Sequence, residues 1–173
     1  MKKLLFLLSM LTMISCSKKE AFINNNGCLV CDGYKTGEYF VYDGLNYVVA
    51  DKGMLENAII DGDDLTRYCT SSIKDMSALF MNAADFNQKI SNWDVHNVTN
   101  MTEMFSGAAA FNQDIGNWDV SNVYYMRGMF YQADTFNQDL TQWCVSNFSS
   151  MPYSFSDYSA LTASNHPVWG TCP

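Results

Sequence analysis

Cysteine is the residue type in this sequence with the widest choice of chemistry. The chain of 173 residues contains six cysteines, at Cys16, Cys28, Cys31, Cys69, Cys144 and Cys172. The spacing of Cys28 and Cys31, with two residues between them, fits half of a zinc site, a redox pair or a structural disulfide. No second cysteine pair or nearby histidine supports zinc, and no βαβ pattern supports a redox domain. The spacing therefore favours a structural disulfide in an oxidising compartment.

Histidines and carboxylates are the other side chains that could act as catalysts. The two histidines, His96 and His166, belong to no recognisable triad, metal motif or acid–base pair. Asp94 and Asp119 recur at one position of a repeated segment, where an outward orientation explains them without catalysis. We therefore predict that the protein is not an enzyme, has no catalytic residues and uses no metal or cofactor.

The N-terminal segment predicts export and lipid anchoring. Lys2 and Lys3 precede the apolar run Leu4–Leu8, and small residues follow before Cys16, which is typical of a secretory signal over residues 1–15. The four residues that end at Cys16 resemble a bacterial lipobox. That resemblance implies cleavage before Cys16, a diacylglycerol thioether on its sulfur, and an acyl group such as palmitate on the new amino terminus. Dual acylation gives stable membrane anchoring. The alternative is an ordinary signal peptide with an incidental cysteine.

The remaining chain divides into three parts by composition. Residues 16–27 are polar and predict a short tether. Residues 28–66 predict an N-terminal cap, with a hairpin formed by Tyr39–Val41 and Tyr47–Val49 and a helix over residues 54–60. Residues 67–173 contain a repeat and predict a solenoid with a C-terminal cap.

The repeat has a period of 25 residues. The tripeptide Phe-Asn-Gln begins at Phe86, Phe111 and Phe136. Ten of thirteen positions are identical between Phe86–Val98 and Phe111–Val123. A unit this short cannot bury its own apolar face, so the period predicts that successive units stack on one another.

The spacing of apolar residues within a unit predicts the fold class. Trp118 and Val120 are two residues apart, which predicts a strand with Asp119 facing outward. After Val123 the apolar spacing becomes three and four, which predicts a helical turn. The sequence therefore predicts an α/β repeat solenoid. It would be a short, leucine-rich-repeat-like right-handed coil of about four 25-residue repeats, with a small hairpin and helix cap at the N-terminus and a disulfide-closed C-terminal cap.

The predicted coil positions also restrict the cysteine pairing. Cys69 and Cys144 occupy one position in coils three apart, so strands spaced about 4.8 Å apart would separate them by about 14 Å, too far for a disulfide. Cys144 lies one coil from Cys172, and we predict that these two form the disulfide that closes the last coil. Cys28, Cys31 and Cys69 then share one bond, and the sequence leaves its pairing open.

The repeat resembles that of a known family. Residues Phe111–Val123 resemble the repeat of the BspA-like leucine-rich-repeat surface proteins, and residues 143–147 and 167–173 resemble the closing cap of that family's short members. The resemblance covers about residues 28–173. It implies a secreted or surface-bound bacterial protein that acts in adhesion to host proteins or to other cells. Long adhesins of the family have many coils, whereas this chain has about four.

Charge and the predicted strands indicate the class of partner. Without residues 1–15 the chain has eight basic and eighteen acidic residues, a formal charge of −10, which argues against nucleic acid. The predicted strands present one polar face as the candidate site for a protein or glycan ligand. Its residues are Asn92, Asp94, His96, Asn117, Asp119, Ser121, Gln142 and Ser146.

We therefore predict a non-catalytic lipoprotein of the cell envelope that works as a surface binding or adhesion module. The protein would contact the membrane through its lipid anchor, and we predict the outer membrane as its location. The sequence is compatible with both the periplasmic and the cell-surface face of that membrane. One alternative is a structural or self-associating lipoprotein without a dedicated ligand, and a weaker alternative is carbohydrate binding. If exposed, the group Tyr124, Tyr125, Tyr131 and Tyr153 would favour a protein partner, because tyrosine is enriched at interfaces. The same tyrosines could instead flank the core.

Overall fold

The computed structural model describes residues 19–173. The predicted signal peptide and the lipidation residue Cys16 lie outside the described residues. The regular elements are β1 (Glu20–Ile23), β2 (Leu29–Asp32), β3 (Tyr39–Tyr42), β4 (Leu45–Val49), α1 (Lys52–Asp61) and β5 (Tyr68–Cys69), with short 3-10 helices at Leu65–Arg67 and Ala163–Asn165.

Two small sheets form the N-terminal part. Strands β1 and β2 pair antiparallel, and the second sheet has the order β3-β4-β5, in which β5 runs parallel to β4. The predicted hairpin is present as β3 and β4. Its two-residue turn has positive φ at both Asp43 (48°) and Gly44 (74°), the conformation that matches the twist of the flanking strands.

The predicted helix is also present, as α1. The Asp51 side chain accepts a hydrogen bond from the Met54 backbone N–H at 2.9 Å, which caps the helix N-terminus. The helix ends at Gly62, whose left-handed conformation (φ 74°) lets its N–H return to the carbonyls of Ala58 and Ile59.

The predicted polar tether over residues 16–27 is wrong where the structure describes it. Residues Glu20–Ile23 form β1, with Phe22 opposite Val30 and Ile23 opposite Leu29 in β2. The nearby lysines and asparagines suggested a solvated linker. However, β1 pairs with β2, which lies several residues further along the chain. Composition alone does not reveal this pairing.

The predicted α/β repeat solenoid is wrong. Between residues 19 and 173 the structure has five short strands in two small sheets and one α-helix, and all of these lie before residue 70. Within that described part, the repeats contain neither the predicted strand at Trp118–Val120 nor the predicted helix after Val123. They consist of successive turns and bends instead.

Backbone hydrogen bonds between repeats explain why no helix forms. We call residues 75–82, 100–107, 125–132 and 151–158 the ladder segments. In the second of these, the N–H groups of Met101, Glu103, Phe105 and Gly107 donate to carbonyls of the third segment at 2.8–2.9 Å. A helix would require these N–H groups to donate four residues back along their own segment. The ladder and the helix are therefore mutually exclusive.

Left-handed residues recur in the ladder segments and interrupt any helical run. Ala78, Glu103 and Gly128 occupy the same position, with φ of 54°, 55° and 61°. A left-handed residue stops a right-handed helix. The predicted strand is replaced by turns as well, because Trp118 N–H donates to Ile115 of its own repeat.

Columns of stacked phenylalanines fill the space between the repeats. Phe105 is fully buried, and its ring stacks on Phe80 at 5.2 Å and on Phe130 at 5.6 Å. It also stacks on Phe111 of a second column at 4.1 Å. Phe105 therefore contacts rings of its own repeat and of both neighbouring repeats.

Recurring polar side chains stabilise the stacking at the edges of the core. The Trp118 indole N–H donates to the Ile90 carbonyl of the preceding repeat, and Trp143 does the same to Ile115. The Asn112 side-chain oxygen accepts a hydrogen bond from the Asn137 N–H at 3.0 Å. Because each of these bonds satisfies a polar group beside the buried columns, they fix the register of adjacent repeats.

Two disulfides close the two ends of the described chain. Cys144 and Cys172, the pair predicted from the sequence, are bonded. Of the three cysteines whose pairing the sequence left open, Cys31 is bonded to Cys69, and Cys28 is free and buried.

We predict that Phe105→Ala lowers the free energy of unfolding by about 3–5 kcal/mol, because it removes a ring from the middle of one column, where it also contacts the second, and leaves a cavity. Urea denaturation followed by tryptophan fluorescence measures this loss. Tyr124→Ala, at an exposed position, is the control and should stay within about 0.5 kcal/mol of the parent chain. Equal effects of the two substitutions would contradict the role assigned to the columns.

Candidate partner-binding surface

Most side chains of the polar face predicted from the sequence take part in hydrogen bonds within the fold. Asn92 donates through its side-chain nitrogen to the Thr66 carbonyl at 3.0 Å, and Asn117 donates in the same way to Ser91 at 2.8 Å. The Asn117 side-chain oxygen is buried without a hydrogen-bond partner among residues 19–173. Both asparagines connect one repeat to the preceding one, so neither is free for a ligand.

Asp94 was predicted to face outward, and this is wrong. Its side chain is only 2% exposed, and its Oδ2 lies 2.7 Å from Nδ1 of His96, whose side chain is 39% exposed. The equivalent Asp119 accepts hydrogen bonds from the N–H and hydroxyl of Ser121. These carboxylates stabilise local turns. The buried Asp94 carboxylate is also the hydrogen-bond partner of the His96 ring.

The N-terminal segment covers another part of the predicted face. Leu29 N–H donates to the Asn92 carbonyl at 2.9 Å, and Leu29 forms a parallel bridge with Trp93. The Asn26 carbonyl accepts a second bond from the Asn117 side chain at 2.8 Å. Of the eight residues of the predicted face, Gln142 and Ser146 remain fully exposed, and two side chains do not make a binding face.

Cys28 belongs to this covered region and is not a reactive thiol. Its sulfur is 3.5 Å from the Asn117 side-chain nitrogen and 3.7 Å from the Ser91 carbonyl oxygen. Burial raises the pKa of the Cys28 thiol to about 12, and the charges of Asp94 and Asp119 act in the same direction. The sulfur therefore stays neutral and enclosed at physiological pH.

Four exposed tyrosines lie between residue 124 and residue 158, in or next to the third and fourth ladder segments. Tyr153 is 76% exposed and Tyr158 is 75% exposed, and Tyr124 and Tyr125 are also exposed. Tyr131 is half-buried and meets Tyr158 edge to face, with ring centroids 5.6 Å apart. The sequence allowed Tyr124, Tyr125, Tyr131 and Tyr153 either to be exposed or to flank the core. All of them except Tyr131 are exposed.

A groove of about 250 Å³ lies beside two of these tyrosines, Tyr131 and Tyr153. Its lining residues are Glu103, Ser106, Arg127, Gly128, Tyr131, Tyr153 and Ser154. The Arg127 guanidinium lies over the Tyr153 ring at 5.6 Å from the centroid. A Cβ atom at Gly128 would come within 3.2 Å of Glu103 Cγ, so the missing side chain keeps the groove open. We call this groove with Tyr124, Tyr125 and Tyr158 the tyrosine surface.

Only part of this surface could be recognised from the sequence. The tyrosines could be identified as candidates, but Glu103, Arg127 and the groove were not. One signal was available, because Gly128 stands where the preceding repeats carry Ala78 and Glu103. A glycine that replaces a side chain in a regular repeat indicates either a backbone requirement or open space.

Neither a metal-ligand cluster nor a membrane-spanning helix occurs among residues 19–173. No group of three or more histidine, cysteine or acidic side chains within residues 19–173 is arranged to hold a metal ion. Over the same residues, the structure has no helix with the length and apolar character needed to cross a membrane.

We predict that the Cys28 thiol reacts with maleimide at least about 100-fold more slowly in the native chain than in the chain unfolded in urea, because it is buried and neutral. The unfolded thiol ionises near its ordinary pKa of 9.0, while the folded thiol stays protonated up to about pH 12. Folding stability should therefore decrease as pH rises between these two values. Cys28→Ser is the control and should show a weaker dependence, which begins only near pH 10 because the pKa of Tyr68 is also raised to about 12 by burial. Fast labelling of the native chain would contradict the burial.

Comparison with known proteins places the repeats in a family. No curated protein and no solved structure is significantly similar to the chain. Residues 51–169, more than half of the sequence, match one protein family, and the match spans α1, the ladder segments and most of the C-terminal cap. The chain therefore belongs to the family described as Mycoplasma protein of unknown function, DUF285.

Proposed function

We propose that the protein is a non-catalytic, lipid-anchored protein of the cell envelope that binds a protein partner through the tyrosine surface. The observation that carries this proposal is the groove lined by Tyr131 and the exposed Tyr153, with the exposed Tyr158 in contact with Tyr131. Soluble surfaces rarely expose several large aromatic side chains together unless they bind something.

The chemistry of the tyrosine surface favours a protein over a small molecule. Tyrosine and arginine are enriched at protein interfaces and dominate their binding energy. The groove, at about 250 Å³, is smaller than the usual range of small-molecule pockets, about 300–1,000 Å³. It is large enough to receive a single side chain of a partner, with Tyr153 and Tyr158 packing around that side chain.

The proposed location depends on the sequence. The residues before Cys16 resemble a lipobox, and the repeat resembles that of BspA-like surface proteins, which supports an anchored protein of the outer membrane with access to the cell surface. The formal charge of −10 without residues 1–15 supports a partner other than nucleic acid, because phosphate backbones require basic surfaces.

Carbohydrate binding is the second candidate, and one observation favours it. The exposed Tyr153 ring could stack on the apolar face of a sugar, while the Glu103 carboxylate and the Arg127 guanidinium beside it could bind hydroxyl groups. We rank it second because Tyr124, Tyr125 and Tyr158 are exposed but do not line the groove, so a sugar bound in the groove would leave them without a role. A structural, self-associating lipoprotein without a dedicated ligand is the remaining alternative.

We predict that Cys16→Ala abolishes incorporation of labelled palmitate and releases the protein from the membrane fraction, because it removes the only sulfur available to a lipobox. Surface protease shaving of intact cells that produce the unmodified chain should degrade the protein, while a periplasmic control protein survives. Cys28→Ala should retain the label. Palmitate incorporation by the Cys16→Ala chain would contradict the proposed anchor, and protection from shaving would contradict surface exposure.

We predict that Tyr153→Ala weakens partner binding about tenfold, because truncation of a central tyrosine at an interface typically costs more than 1 kcal/mol. A photo-crosslinking amino acid placed at residue 124 on intact cells measures the yield of the partner adduct, with and without Tyr153→Ala. Tyr39→Ala is a matched control, since Tyr39 is 78% exposed and lies on β3. The proposal fails if Tyr39→Ala reduces the adduct as much, or if a glycan library binds the groove and no protein adduct forms.

A further inference from the structure

The ladder between repeats has a direction. In the third ladder segment, the N–H groups of Gly128 and Phe130 donate to the carbonyls of Tyr153 and Phe155 at 3.1 and 2.8 Å. Gln132 N–H continues the series to the carbonyl of Asp157 in the last segment at 2.9 Å. Every segment thus offers donors toward the C-terminal side of the stack and receives donors from its N-terminal side.

The last ladder segment has the same donors but no acceptors for them. Ser154, Ser156 and Tyr158 occupy the positions of Gly128, Phe130 and Gln132, one residue later than the 25-residue period predicts. Ser154 and Tyr158 keep the left-handed conformation of Gly128 and Gln132, with φ of 53° and 60°. Among residues 19–173, no acceptor lies within hydrogen-bond distance of these three N–H groups. We call the three groups the open edge.

The C-terminal cap covers the core of the last repeat but not this edge. Phe155 is fully buried, with Trp169 edge to face at 5.0 Å and His166 at 6.0 Å. Tyr158, by contrast, is strongly exposed, and Tyr153 next to Ser154 lines the groove. The apolar end of the stack is therefore covered, while the three backbone donors beside the tyrosine surface make no hydrogen bond within residues 19–173.

The opposite end of the stack is closed to a second copy of the chain. The Lys52 ammonium donates to both the carbonyl and the hydroxyl of Ser77 in the first ladder segment. Lys52 also lies 3.9 Å from Asp75 and begins α1. A second molecule that stacked its first segment onto the open edge would have to displace this contact, so head-to-tail stacking is disfavoured.

We propose that the open edge binds an extended polypeptide segment of the partner, whose carbonyl groups at alternate residues accept hydrogen bonds from Ser154, Ser156 and Tyr158. This inference rests on the proposed function and specifies what the tyrosine surface recognises. Addition of an extended segment to unpaired backbone groups is a general mode of peptide binding. The backbone bonds would align the segment, and Tyr153 and Tyr158 would contact its side chains. The net negative charge favours a neutral or basic segment.

Residue-resolved hydrogen exchange on the mature lipoprotein in detergent tests the open edge directly. In the free protein, the amides of Gly128, Phe130 and Gln132 should exchange at least about 100-fold more slowly than those of Ser154, Ser156 and Tyr158, because only the first set is hydrogen-bonded. Slow exchange of both sets in the free protein would overturn the proposal.

A peptide that copies residues 123–134 serves as the probe, because this stretch supplies the carbonyls that accept the ladder bonds of the second segment. At saturating peptide, the three open-edge amides should slow at least tenfold, and a scrambled peptide should leave them unchanged. If neither peptide alters their exchange, the open edge does not bind extended chains and the inference is wrong.

The variants Ser156→Pro and Ser156→Ala distinguish the contribution of the Ser156 backbone N–H to peptide binding from that of its side chain. Both remove the contact between the Ser156 hydroxyl and Nε2 of His166 at 3.2 Å, but only proline removes the N–H. Ser156→Pro should weaken peptide binding at least fivefold, and Ser156→Ala should not. If the proline variant does not fold, the exchange measurement on the unmodified chain still decides.

The outcomes distinguish this inference from the proposed function. A partner adduct that depends on Tyr153, together with unchanged exchange at the open edge, would keep the proposed function and overturn the inference. If the peptide slows amide exchange at the open edge but no partner adduct forms on cells, the open edge is a peptide site and the proposed function is contradicted. Concentration-dependent polymers in sedimentation would show that a second copy fills the edge, and would overturn the assignment to a foreign polypeptide.

Discussion

The backbone hydrogen bond from one ladder segment to the next is the interaction on which the rest of the structure depends. Because alternate N–H groups point out of their own repeat, each repeat must have a neighbour to satisfy them. Inside the stack, where water is excluded, a donor without an acceptor costs about 1–3 kcal/mol, so each interior repeat depends on the next one. Stacking is therefore a requirement of the backbone conformation, and the apolar core forms in the space that this stacking creates.

The side chains follow from that constraint. Phe105 lies directly between Phe80 and Phe130 because the ladder places equivalent residues of adjacent repeats in line. The same alignment lets the Trp118 indole reach the preceding repeat. It also explains why the predicted polar face was lost, since an asparagine that recurs in line with its equivalents finds a backbone carbonyl within reach. Regular repetition thus favours internal hydrogen bonds over ligand contacts.

Several features were predictable from the sequence because they depend on local chemistry. The Asp43-Gly44 turn, the helix after Asp51 and the pairing of Cys144 with Cys172 each follow from short-range signals or from the period. The internal conformation of the repeat was not predictable in this way. Apolar residues three and four apart fit a helix, but they fit a series of turns with left-handed residues equally well, and Glu103 gives no sign of its positive φ. The tyrosines were identifiable as candidates, whereas the groove depends on how separate repeats align.

The disulfide between Cys31 and Cys69 also determines how the protein would carry mechanical load. If the N-terminus is held in a membrane and a partner is held near Tyr153, tension enters through the chain that leads into β1 and leaves at the far end of the stack. The covalent bond passes this tension from β2 directly to β5, so the hairpin and α1, which lie between the two cysteines in sequence, are outside the force-bearing path. They can fluctuate or unfold locally under load while the connection between the two attachment points stays intact.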